Sequence, residues 1–220
     1  TPNDNPCIQQ TTELTEQLRT LHRYETNKKT HRDEDGMMLV HLAVKAGQEA
    51  LLIAAIQDGA DINSQDAEGN TALHLAILMQ RDKLVERLII LGAAVDIENN
   101  SGLTATNWAA AHNNTEALEI FAKYRISLDE TNKSGLSPLM TAAIIGARTT
   151  INKLIKLGVN INSTNHVGQS ALHIAILEKN HTIAADLINA GIDTHTKTLQ
   201  QNQAAHIAAE NSERKTLSLL

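Results

Sequence analysis

At 220 residues with a formal net charge of −6, the chain is long enough for one or two domains. It is too acidic for a binder of nucleic-acid backbones, which needs a basic stripe. A single cysteine, Cys7, allows no internal disulfide and suits a reducing compartment such as the cytoplasm, while no run approaches the roughly 20 apolar residues that span a bilayer and residues 1–10 lack the pattern of a signal peptide.

Thr1–Gln10 carries prolines and asparagines without apolar periodicity and reads as an exposed lead-in. Leu14, Leu18 and Leu21 then fall at helical spacing, which predicts an amphipathic helix over Thr11–Glu25. It occupies the place of the second helix of a degenerate preceding unit, so residues 1–32 are assigned to a lead-in and an N-terminal cap. The chain begins at Thr1 without a methionine and stops at Leu220 inside a helical pattern, as a fragment of a longer protein would.

Beyond the cap one stretch dominates. Gly69–Ile77, GNTALHLAI, returns as Gly168–Ile176, GQSALHIAI, 99 residues later, which is three intervals of 33. That interval aligns Gly36, Gly69, Gly102, Gly135 and Gly168, and also Ala43, Ala76, Ala109, Ala142, Ala175 and Ala208. A strict period in one chain means a stacked array rather than separate globular domains. The units are 33–65, 66–98, 99–131, 132–164, 165–197 and a shorter 198–220.

Each part of the unit has a physical reason. Asp66-x-x-Gly69, Asn99-x-x-Gly102, Asn132-x-x-Gly135 and Asn165-x-x-Gly168 are turn chemistry, an Asx side chain bonding local backbone and a glycine accepting positive φ. Two residues on, Thr71, Thr104, Ser137 and Ser170 stand where a helix N-cap is wanted, and Pro138 follows at the first helical position. The second helix, predicted over Lys83–Leu91 and Asn152–Leu157, sets Leu, Ile and Val against charges, and Gly59, Gly92, Gly158 or Gly191 closes it. Helices this short are marginal alone, so each unit depends on its neighbours.

With these residues in hand, Gly69-x-Thr-Ala-Leu-His-Leu-Ala, the second helix, then Leu91-Gly-Ala and the loop GADIN at Gly59–Asn63 resemble the ankyrin repeat. The resemblance covers Asp33–Leu220, about five and a half repeats. It implies an all-α solenoid of stacked helix-turn-helix units joined by β-hairpin loops, with a concave groove. Departures are local. Met38 and Leu39 replace the family's Thr and Pro, Asn107 replaces the motif histidine, and Gln201 and Gln203 replace the glycine and threonine of the last unit. Arg125 stands where a glycine should close the second helix; a left-handed non-glycine residue costs about 1 kcal/mol or more, so this loop is expected to change shape.

The ten histidines do not form a metal site by spacing. His41, His74, His173 and His206 recur in phase, and the resemblance implies a structural role in which they bond neighbouring turns. His22, His31, His112, His166, His181 and His195 share no ligand spacing, and Cys7 has no assigned base. No phosphate-binding loop, His-Glu-x-x-His helix or Gly-x-Ser-x-Gly elbow occurs, so neither an enzyme nor a cofactor is expected. Trp108 shares its register with Leu42, Leu75, Ile174 and Ile207 and is expected in the core rather than as a binding hot spot.

In a stacked array specificity lives in variable positions that face the same way, and the period sorts them into columns. The residue after the turn glycine gives Met37, Asn70, Leu103, Leu136 and Gln169. The end of the first helix gives Leu78 and Met79, His112, Ile144 and Ile145, then Leu177 and Glu178. The resemblance places these columns on the groove, polar at its ends and apolar in the middle, as a protein-binding surface requires. Two readings stay open for Leu78, Ile144 and Leu177, an exposed stripe or core between stacked helices. The expected function is a non-catalytic, monomeric interaction module for a partner protein or peptide, without nucleic acid or membrane insertion. An alternative is the targeting domain of a larger enzyme whose catalytic part lies outside the chain. A composition rich in Asn, Gln, Ile, Lys and Thr also resembles ankyrin arrays that intracellular bacteria deliver into the host cytosol.

Overall fold

A computed structural model describes residues 38–210 and 217–218. The expected N-terminal helix, Cys7 and the groove candidate Met37 lie outside these residues. Eleven helices are described, in two rows. The first helices of successive units are α1 (Leu39–Ala46), α3 (Ala72–Leu78), α5 (Ala105–Ala111), α7 (Pro138–Ile145), α9 (Ala171–Leu177) and α11 (Ala204–Glu210). The second helices are α2 (Glu49–Gln57), α4 (Asp82–Ile90), α6 (Thr115–Lys123), α8 (Arg148–Lys156) and α10 (His181–Asn189).

The caps form as the sequence predicts. Oγ1 of Thr71 and of Thr104 accepts from the N–H of His74 and Asn107, Ser137 Oγ accepts from Met140, and Pro138 opens α7. Met38 offers no such side-chain bond to α1. Four of the five second helices close on left-handed glycines, and at α4 the N–H groups of Gly92 and Ala93 return to the carbonyls of Ile89 and Leu88 at 3.0 and 2.9 Å. These bonds satisfy carbonyls that the helix end would orphan.

Three expectations are corrected. Arg125 does not reshape its loop. It takes φ +58°, and its N–H and that of Ile126 bond Ala122 and Phe121 at 3.0 and 2.9 Å, the same closure that glycine makes elsewhere. The two bonds and the packing of Ile126 on the core hold the residue against its steric preference. Helix α8 begins at Arg148, four residues before the predicted start, because Thr150 is a buried helical residue whose hydroxyl donates to Asn113 Oδ1 at 2.7 Å. The expected β-hairpins contract to tight turns. Among the described residues the only ladder contacts are isolated antiparallel bridges, Gln65 with Thr71 and Thr164 with Ser170.

Each first helix from α1 to α9 packs on the second helix of its unit and on the next first helix. The alanine column makes the close approach possible: Ala43, Ala76, Ala109, Ala142, Ala175 and Ala208 have no exposed surface. One apolar core runs the length of the array through residues such as Leu73, Leu88, Phe121, Leu154 and Leu172. Burying each such side chain contributes about 1.5–3 kcal/mol. Along the outer row, ion pairs bridge neighbouring second helices: Arg87 with Glu49, Lys123 with Glu86, Lys153 with Glu119, and Arg148 with Asp186. Being exposed, each adds about 0–1 kcal/mol.

Candidate protein-interaction face

The turn that opens each unit positions the first groove column. At 66–70, Asp66 Oδ1 accepts from the N–H groups of Glu68 and Asn70, and the N–H of Asp66 donates to the Asn70 carbonyl at 2.9 Å. The same pattern recurs with Asn99 and Leu103 and with Asn132 and Leu136. The in-phase histidines then tie one unit to the next. His41 Nε2 lies 3.1 Å from the Asn70 carbonyl and His74 Nε2 lies 3.0 Å from that of Leu103. Nδ1 of each accepts the N–H of the N-cap residue, Met38 or Thr71.

A carbonyl can only accept, so Nε2 carries the proton and Nδ1 the lone pair, the neutral form of the ring. Burial accordingly holds the pKa of His41 and of His74 below the ordinary histidine value, against the opposing pull of the Asn70 or Leu103 carbonyl and of the Asp66 charge. Asn107 reproduces the device without titrating. Its Oδ1 accepts from Thr104 Oγ1 at 2.6 Å and its Nδ2 donates to the Leu136 carbonyl at 3.1 Å. In the next unit Met140 takes the register position and offers no donor. His173, its pKa also lowered by burial against the opposing pull of the Asn202 and Thr196 backbone, keeps the Ser170 contact, but its buried Nε2 falls outside good hydrogen-bond geometry.

The second column answers the question the sequence left open. Leu78, Ile144 and Leu177 are 44%, 38% and 42% exposed, beside Met79 and Ile145 at 39% and 59%. They lie at the C-terminal ends of α3, α7 and α9, on the inner row, where the preceding residues Ile77, Ala143 and Ile176 are buried. Glu178 beyond them is exposed, and Gln169 is half-buried with its Oε1 accepting from Asn165.

Other candidates are placed differently. Asn70 is 7% exposed, and its Oδ1 accepts from Asn99 Nδ2 at 2.9 Å, so it joins two units instead of facing the groove. Leu103 and Leu136 are half-buried, Leu136 against the core, so they support the face more than they present it. Trp108 packs against the core, as expected, but is not fully buried in it. It is half-buried, its indole N–H donating to the His74 carbonyl at 3.1 Å and its ring meeting that of His112 at 4.1 Å between centroids with the planes tilted by 46°. His112 Nδ1 donates to the Trp108 carbonyl at 3.0 Å.

Val167 and Leu199, turn residues of successive units, are 50% and 72% exposed, and the sequence reading passed over them. Their signal was two large apolar residues in turn columns otherwise held by Glu68, Ser101, Ser134 and by Ala67, Asn100, Lys133, His166. They adjoin Leu177 and Ile207 in an open cleft of about 500 Å³. Among the described residues, no group of three or more His, Cys, Asp or Glu is arranged to hold a metal, and no helix is long and apolar enough to cross a membrane.

Paired short helices, a continuous core and one face of exposed aliphatic side chains define an all-α solenoid of the repeat class. A family model of ankyrin repeats matches residues 7–99 and 80–165, and the chain belongs to that family. The fold is similar to the crystal structure of the ankyrin repeat domain of Bcl-3, described as a unique member of the IkappaB protein family, with a TM-score of 0.77. That alignment covers 99% of this chain and 98% of the other at 23% identity, so the likeness speaks for the fold alone. No curated protein matches.

Proposed function

We propose that the chain is a non-catalytic interaction module that grips an apolar helix or extended peptide of a partner protein through its inner-row face. Ankyrin repeats are in general protein-interaction modules, and the observation that carries the reading here is the register of Leu78, Met79, Ile144, Ile145 and Leu177. Five large apolar side chains stand exposed on one row, while Ile77, Ala143 and Ile176, which precede them in each helix, are sealed in the core. An apolar patch with a polar rim marks an interaction surface. A chain with one cysteine suits the cytoplasm, and the module acts there as a monomer.

The test uses the exposed positions. Met79→Glu with Ile145→Glu is expected to remove partner capture from cell lysate while thermal unfolding stays nearly unchanged, as for surface substitutions of about ±0.5 kcal/mol. Capture of the same proteins by the wild type and the double variant would overturn the reading. Loss of cooperative unfolding would return these side chains to a core role.

A further inference from the structure

The cleft at the C-terminal end of the inner face differs from the rest of the stripe. Val167 and Leu199 come from adjacent turns locked side by side, the Leu199 N–H donating to the Val167 carbonyl at 2.9 Å. Leu177, from the end of α9, and the nearly buried Ile207 of α11 complete the apolar lining. At about 500 Å³ the cleft is within the range of about 300–1,000 Å³ typical of concave ligand sites, and it is open on one side. Among the described residues its polar lining is Gln169, Thr198, Gln200 and Asn202, and the one charged lining residue is Glu210, which is exposed.

This composition selects among occupants. An acidic segment would set its charge against Glu210, and no described lining residue is a cation that could answer it. A wholly apolar segment would cover Glu210 and the amides without supplying donors, and desolvating unpaired polar groups costs about 1–3 kcal/mol each and more for a charge. A large apolar side chain next to a lysine or arginine meets both demands. The apolar group fills the space between Val167, Leu177, Leu199 and Ile207, and the cation reaches the carboxylate.

We propose that this cleft is an anchor pocket for a partner peptide carrying a leucine or aromatic side chain beside a basic residue. The proposal rests on the reading of the inner row as a protein-binding face and names the chemistry its C-terminal end takes. It is tested by selecting a phage-displayed random dodecapeptide library on the full chain and measuring the enriched peptides by fluorescence anisotropy. The comparison set is the wild type, Leu199→Asp, Glu210→Lys and the Met79→Glu/Ile145→Glu variant.

Enriched peptides are expected to share an apolar residue next to Lys or Arg. Leu199→Asp, at a 72% exposed side chain that the fold does not need, should weaken them about tenfold or more. Glu210→Lys should weaken them in a manner that salt reduces. Enrichment of acidic peptides, binding insensitive to Leu199→Asp, or no enrichment at all would overturn the proposal. Peptides lost on the Met79/Ile145 variant but retained on Leu199→Asp would leave the general binding face standing and remove the anchor pocket. Peptides indifferent to both would remove the two together.

Discussion

Acidification should unfold this array through its buried histidines before its carboxylates titrate. His41, His74 and His173 have folded-state pKa values lowered by burial. The unfolded chain, with histidines near about 6.5, therefore binds more protons than the folded one in the window below that value. Stability is fully present above it and falls as pH drops through about 6.5 toward the folded values. One proton of difference gives a slope of at most about 1.4 kcal/mol per pH unit, so three histidines give at most about 4. The chemical reason is visible at His74. A proton on Nδ1 would face the Thr71 N–H, whose hydrogen bond at 3.2 Å would be lost inside the core.

The discriminating variant is His74→Asn, because Asn107 already performs the same task at the next register position. Its amide keeps an acceptor toward the N-cap hydroxyl and a donor toward the next unit's carbonyl. At about pH 7.5 the variant should lose about 1 kcal/mol, from the smaller side chain and the lost edge contact of the His74 ring with Trp108 at 6.0 Å between centroids. Urea titrations followed by circular dichroism between about pH 7.5 and 5.5 should show its pH slope reduced by up to about one proton's worth. An unchanged slope, or stability that rises on acidification, would refute the assignment of the neutral ring as the form the fold needs.

Gly69→Ala and Gly102→Ala separate conformational strain from crowding. Both positions have φ near +70°, but a Cβ at Gly69 would lie 2.5 Å from Asn100 Oδ1 and 2.7 Å from its backbone nitrogen, whereas at Gly102 it meets nothing within 4 Å. Calorimetry should show about 1 kcal/mol lost at Gly102 and clearly more at Gly69. Gln80, Arg125 and Lys179 are exposed and left-handed at φ 53°, 58° and 56°, so replacing each with glycine should raise stability by up to about 1 kcal/mol in urea titrations. Hydrogen exchange should find the amides of α9 and α11 less protected than those of α3 and α5, since Met140 offers no side-chain donor to the next unit and His173 Nε2 lacks the close carbonyl contact that His41 and His74 make.

Local chemistry was readable from the sequence. Turn glycines, N-caps at Thr71, Thr104 and Ser137, and the period itself depend on residues a few positions apart. The exposure of Leu78, Ile144 and Leu177 was not readable, because ALHLAIL at Ala72–Leu78 is apolar all round and offers no polar face to fix its phase. Nor was the burial of Asn70, which is set by Asn99 from the following unit, 29 residues on. The helical first turn of α8 was missed for a similar reason, since Thr150 earns its buried place through Asn113 in the preceding unit. A second left-handed column, Gly47, Gln80, Asn113, Gly146 and Lys179, closes each first helix at the same 33-residue interval. Only two of its five members are glycine, so composition hid it.

The ties explain why the face and the fold can be perturbed separately, and where they cannot. At Leu103 and Leu136 the backbone carbonyl is engaged by the preceding unit while the side chain stays half-exposed, so folding fixes the position of the column without consuming its side chains. Asn70 is the exception, with both carbonyl and side chain engaged. From Met140 on the histidine-type side-chain tie is weaker among the described residues, and that is the end of the array that carries the open apolar cleft. A ligand that bridges α9 and α11 through Leu177, Leu199 and Ile207 would therefore add to the helix packing and the Val167–Leu199 backbone bond that already join these units. By linkage its binding must stabilise the C-terminal units in proportion to the logarithm of ligand concentration over Kd, while leaving the histidine-tied units before them unaffected.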